Sequence, residues 1–250
     1  MGAPRDRPDR IGQDEQLTDS GRLDVNTQLQ QQNRAEYLTS VASKGVWLLP
    51  AFGLLLALST IRQQPPVQTD FEGYARFVTT GEFLISHLAA SIGGAALAIL
   101  GVCSMFVLLA GGRFRRAALI GTIITVIAQV YLASAFGSAA FVQPGIGRAY
   151  LRGETAAAQA LNADTAYGPA FMATAGVSVL LWLIGTVFLT VALVRTSPRL
   201  RGGGHPLRRG SPLFIWSGQV DLIPLQQTLA GLLLTLAAVI IAARLPRDAS

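Results

Sequence analysis

The chain has 250 residues, of which 51% belong to the apolar set AVILMFWYC and only 14% are charged. A soluble domain carries about 25% charged residues to keep its surface wetted, so this composition excludes a soluble globular protein and indicates an integral membrane one. Twenty basic residues against fourteen acidic give a net charge of +6. The basic residues mostly border apolar runs, which reads as membrane orientation, and Arg208-Arg209 sits in a loop without interleaved aromatics, so nucleic-acid binding is not expected.

Residues 1–44 form a polar tail. Met1 to about Leu23 mixes Asp, Arg, Gln and Asn with too few large apolar groups for a core and reads as disordered. Asn26 is placed to cap a helix that feeds directly into the membrane. A secretory signal is a poor fit, because the first apolar run begins only at Gly45, after a long charged stretch.

Five apolar runs follow, over 45–61, 83–110, 117–142, 171–194 and 222–243, against the 20 or so residues that a spanning helix needs. The sequence therefore predicts an all-α membrane bundle of about five transmembrane helices over 45–243, with 244–250 as a short tail. The first run is marginal, helped by Lys44 and Arg62 snorkelling at its ends. The second and third exceed the required length and should tilt or protrude. Their six-residue joint, Gly111-Gly112-Arg113-Phe114-Arg115-Arg116, forces an antiparallel helical hairpin.

With the N-terminus in the cytoplasm, fourteen of the twenty basic residues fall on the inner side, as the positive-inside rule requires. They include Arg113, Arg115 and Arg116 in the short turn, and Arg199, Arg201, Arg208 and Arg209 in the Gly-rich loop 195–221. Near anionic lipid each contributes about 1 kcal/mol. Arginine far outnumbers lysine and Ala and Gly are abundant, a composition pointing to a GC-rich bacterium and hence to its cytoplasmic membrane. Loop 63–82 carries Phe71, Tyr74 and Phe77, suited to the headgroup layer. Loop 143–170 opens on Gln143-Pro144-Gly145 and has a helix-compatible stretch near 154–162. Residues 213–216 are apolar enough to dip into the interface before the last span.

No Asp, Glu, Lys or Arg lies inside a predicted span. That weakens a coupled-carrier reading and excludes an intramembrane carboxylate dyad, since charges at that depth are kept for function. The single cysteine, Cys103, rules out an intrachain disulfide or a Cys₂ metal site and reads as a small buried apolar side chain. The chain has no GxxxxGK(S/T), HExxH, GxSxG or CxxC pattern, so no catalyst, cofactor or metal site is expected.

Two side-chain lines remain. At 100° per residue His87, Ser91, Gly94, Ala98 and Gly101 share one face of the second run, a small-residue surface that lets another helix approach. His87 reads as a packing or interfacial histidine, as half of a pH-responsive pair with Glu82, or as a haem ligand if two copies of the chain pair it. On the third run Thr122, Thr125 and Gln129 lie on one side, and Thr174 and Ser178 make a similar line on the fourth. Gln129 sits at mid-membrane depth, so its amide must face protein or water. The leading expectation is a non-enzymatic accessory or oligomerising subunit, its partners the bilayer and a second copy or another membrane protein meeting the His87–Gly101 face. The alternative is a small-solute transporter or channel component with a cavity lined by Thr122, Thr125, Gln129 and His87. The haem-binding redox subunit is third.

Overall fold

The computed structural model describes residues 11–62, 64–196 and 226–249. They form an all-helical fold, with no strand among them, and five helical stretches are long and apolar enough to cross a membrane. That is the architecture of a multi-pass membrane protein. Two units are distinguished, residues 1–41 and 42–250.

The first unit is described by helix α1 (Ile11–Gly45), which runs on into the second unit. Helix therefore begins well before Asn26 and takes in residues 11–23, which composition alone reads as unstructured. Gln13, Glu15, Gln16, Leu17, Arg22 and Leu23 in this stretch are good helix formers. Met1–Arg10 lie outside the described residues.

Helix α2 (Leu48–Ser59) follows a turn at Val46-Trp47. Pro50 explains the turn. It has no N–H to donate, and its ring clashes with a helical carbonyl four residues back, that of Val46. Leu49 N–H instead bonds the Val46 carbonyl at 3.1 Å. The first predicted run is thus a turn plus a twelve-residue helix, and the stretch long enough to span is Asn26–Ser59.

The second span is continuous from Gly81 to Leu109 but changes pitch within it. Helix α4 (Gly81–Ile85) passes into a π-helical segment (Ser86–Gly93) and then into α5 (Gly94–Leu109). The Phe83 carbonyl receives the Ser86 hydroxyl at 2.8 Å and His87 Nδ1 at 2.9 Å. Two side chains thus engage a carbonyl that an α-helix reserves for the backbone, which accounts for a π turn starting there.

Helix α6 (Arg115–Leu151) is 37 residues long, about 55 Å at 1.5 Å per residue, and overshoots the hydrocarbon layer. It continues through Pro144, where the sequence predicts a loop opening at Gln143-Pro144-Gly145. A proline inside a helix costs about 3 kcal/mol, and packing offsets it. Ile146 is buried with Ala158 and Ala166, and Gly147 lies against Ala75 and Val78 of helix α3 (Phe71–Val78). The helix ends at Gly153, whose φ of 95° suits glycine, with the Glu154 N–H reaching back to the Ala149 carbonyl at 3.1 Å.

Helix α7 (Thr155–Leu161), within the stretch that the sequence marks as helix-compatible, leads through a π turn (Asn162–Ala166) to α8 (Pro169–Thr196). Residues 197–225, which hold the basic loop and 213–216, lie outside the described residues. Helix α9 (Gln226–Ala249) closes the bundle. Helix α8 packs on α6, α6 on α5, α5 on α2, and α2 on α9. At one end α3 and α7 fold over α6 as a cap; at the other lies the Gly111–Arg116 turn.

Candidate functional site

Close helix approach builds the interior. A Cβ on Gly121 would lie 2.9 Å from Leu189 Cγ and 3.0 Å from the Gly185 carbonyl, and a Cβ on Gly185 would lie 3.0 Å from the Thr125 nitrogen. Only glycine allows α6 and α8 to cross this tightly. Gly231 meets Ala57, and Gly53 meets Thr235, in the same way between α9 and α2.

Where these pairs face one another the bundle leaves a cavity of about 60 Å³. Its walls are mostly apolar: Phe52 from α2, Val102 and Met105 from α5, Trp182 from α8 and Leu234 from α9 contribute. Phe52 and Trp182 meet at a ring separation of 6.2 Å. The polar lining is Thr125 and Gln129 of α6 and Thr186 of α8. Gln129 is 1% exposed and Thr125 6%, and neither Gln129 Oε1 nor Thr125 Oγ1 has a hydrogen-bond partner. An unpaired amide in hydrocarbon costs several kcal/mol, so this pair marks the place in the bundle that fits a hydrogen-bonding guest. That volume has room for a few water molecules.

Thr122 and Ser178 are also buried with unpartnered oxygens, whereas Thr174 donates to the Ala170 carbonyl of its own helix at 2.8 Å and stays half-exposed. His87 does not reach the cavity lining. Trp182 and Thr186 escaped the sequence reading, although they follow Ser178 at steps of four, the spacing of one helix face.

The face of His87, Ser91, Gly94, Ala98 and Gly101 is not the free surface that the sequence led us to expect. Ser91, Gly94, Ala98 and Gly101 are buried, and a Cβ on Gly94 or Gly101 would meet Phe52 or Leu49 of α2. The chain's own second helix fills it. The π segment also breaks the 100° register between His87 and the rest, and the imidazole lies between Phe83 and Phe136, at ring separations of 4.1 and 5.8 Å. A carbonyl only accepts, so the bond to Phe83 requires the proton on Nδ1. Glu82 pairs with Arg62 at 2.6 Å, whereas His87 bonds Ser86 and the Phe83 carbonyl. Cys103, expected inside the core, is exposed on the outer surface of α5.

The cap is a second ordered region that composition did not disclose. The Tyr74 hydroxyl donates to Asn162 Oδ1 at 2.8 Å, and Gln64 Nε2 donates to the Tyr167 hydroxyl at 2.6 Å. Phe71 packs at a tilt on Tyr150 at 4.7 Å and meets the edge of Tyr74 at 5.3 Å. Burial, reinforced by the neighbouring Tyr167, pushes the Tyr74 phenol well above its ordinary range. The aromatics expected at the headgroups thus form a small core of their own.

Arg113, Arg115 and Arg116 are exposed at the opposite end; Arg199, Arg201, Arg208 and Arg209 lie outside the described residues. Among the described residues no group of three or more His, Cys, Asp or Glu could hold a metal. No protein-family model, curated protein or solved structure matches the chain.

Proposed function

We propose that this chain is a non-enzymatic multi-pass protein of a bacterial cytoplasmic membrane, N-terminus inside, that holds a small neutral hydrogen-bonding solute at the centre of its bundle. One observation carries the reading: unpartnered Gln129 Oε1 and Thr125 Oγ1 line an otherwise apolar mid-bundle cavity. Such a site, a few convergent polar groups in an apolar pocket, is the usual form of a small-ligand site. An acceptor amide and a hydroxyl without a fixed charge favour a neutral guest over an ion. An accessory role through the Gly94–Gly101 face loses its surface to α2, so solute binding or conduction is the better-supported activity. The test is thiol labelling of Gln129→Cys in a Cys103→Ser background. A hydrated or solute-exchanging cavity makes position 129 react with a small water-borne reagent. An unreactive thiol in a folded, monodisperse protein overturns the reading.

A further inference from the structure

Helices α8 and α9 run in the same direction. Helix α8 starts under the cap, where Tyr167 meets Phe171 at 6.3 Å, and ends at the arginine turn, where Thr196 lies against Gly112. Helix α9 starts at the cap-side end of α2. The Thr228 and Thr60 hydroxyls are 3.1 Å apart there, and Arg62, just after Thr60, pairs with Glu82 at the head of the second span. Gly231 then meets Ala57, and Thr235 meets Gly53, so residue numbers rise along α9 as they fall along α2. The far end of α9, at Ile241, Ala242 and Leu245, is buried in one cluster with Val46, Leu109, Ala118 and Leu193, beside the arginine turn. Five alternating spans would instead bring this end out with the cap.

Charge divides between the same two ends. Every acid of residues 42–196 lies at the cap: Asp70, Glu72, Glu82, Glu154 and Asp164. Three of them pair with the cap arginines Arg62, Arg76 and Arg152. At the turn end Lys44, Arg113, Arg115, Arg116 and Arg195 are exposed, and the ion pairs among the described residues include none of them. Exposed Arg244 of α9, next to Leu245, joins this end. Trp47, exposed close to Lys44, and Phe114, set among the arginines, supply the aromatics of a headgroup layer.

We propose that α9 crosses from the cap side to the side of the arginine turn, parallel to α8, and that the basic face completed there by Arg244 is a contact surface for anionic lipid headgroups. Two successive spans of one direction cannot be joined on one side of a membrane. The chain therefore changes sides once more between Thr196 and Gln226, and the number of crossings is even. Exposed cations without protein carboxylates keep their field for other anions, and a negative leaflet attracts Lys and Arg near its surface. These side chains stand at the ends of spans, where headgroup phosphate is the anion within reach. Only the identity of that side as cytoplasmic rests on the orientation proposed above.

Sidedness is tested with a membrane-impermeant maleimide on sealed vesicles of known orientation, in the Cys103→Ser background. Gly111→Cys marks the turn end and Gly81→Cys the cap end; a Cβ at either glycine meets nothing within 4 Å. Ala249→Cys, at the end of α9, should label from the same side as position 111. Labelling together with position 81 overturns the proposal. Joint labelling of 111 and 249 from the outer side supports it and overturns only the N-inside orientation. If Ala249→Cys fails to fold, an epitope tag after Ser250 reports the same end to antibody. For the lipid, native mass spectrometry compares the phosphatidylglycerol and phosphatidylcholine that the protein retains from mixed micelles. Arg113→Gln, Arg115→Gln, Arg116→Gln and Arg195→Gln combined should weaken a preference for phosphatidylglycerol at least about tenfold. Arg148→Gln, exposed at the cap, should leave it unchanged. No preference in the parent, or an equal one in the combined variant, overturns the lipid surface. In the unaltered chain the preference should also fall in about 1 M salt, where the screening length is about 3 Å; a salt-independent preference overturns it as well.

Discussion

Replacing Gly121 with alanine probes the α6–α8 crossing beside the cavity. The added Cβ would lie 2.9 Å from both Leu189 Cγ and the Leu189 backbone nitrogen, and 3.0 Å from the Gly185 carbonyl oxygen. Ordinary contacts between carbon atoms fall at about 3.5–4.0 Å. Two of the three obstructing atoms are backbone, so no rotamer change relieves them and the helices must separate by a few tenths of an ångström. Overpacking of this kind costs about 1–3 kcal/mol. Gly137, also inside α6, is the matched control: its Cβ would meet Ile92 Cδ1 and Phe141 Cε2 at 3.8 Å, ordinary contact. Alanine improves a helix over glycine by about 0.5–1 kcal/mol, a gain common to both variants. Gly121→Ala should therefore be less stable than Gly137→Ala by about 1–3 kcal/mol, the steric difference alone. Equilibrium unfolding in mixed micelles, followed by circular dichroism, measures the gap. Equal midpoints for the two variants would refute the close crossing.

Two further predictions concern the cap. Tyr74→Phe removes the donor to Asn162 Oδ1 and strands a buried acceptor, so it should destabilise the cap by about 1–3 kcal/mol; a double-mutant cycle with Asn162→Ala should recover part of this as coupling. Ultraviolet titration should show the Tyr74 phenol staying protonated above the ordinary tyrosine range while exposed tyrosines ionise. Because the unfolded chain gives up this proton first, it binds fewer protons than the folded one as pH rises through about 10. The stability held below that pH is therefore lost progressively above it. A Tyr74→Phe protein whose alkaline unfolding curve matches the parent's would contradict the assignment.

What the sequence determined by itself is the class of the molecule. Burying backbone in hydrocarbon leaves helices as the only local solution for long apolar runs, so the runs near 83–110, 117–142 and 171–194 mark their helices from composition alone. The sequence also singled out Gln129, Thr122 and Thr125, because an amide at mid-membrane depth must find protein or water wherever the helices go. Tertiary packing decided the rest. Pro144 reads as a loop until α3 and α7 are seen holding α6 in helical form around it. The small-residue face of Ser91, Gly94, Ala98 and Gly101 is a contact surface in any arrangement, but periodicity cannot say that Phe52 and Leu49 of the same chain fill it. His87 left that face because side-chain bonds to one carbonyl opened a π turn, a local event that a fixed 100° repeat does not register. Trp182 and Thr186 join Gln129 around one cavity only because Gly121 and Gly185 let two helices close to contact, and such proximity is a property of pairs of segments that no single segment encodes.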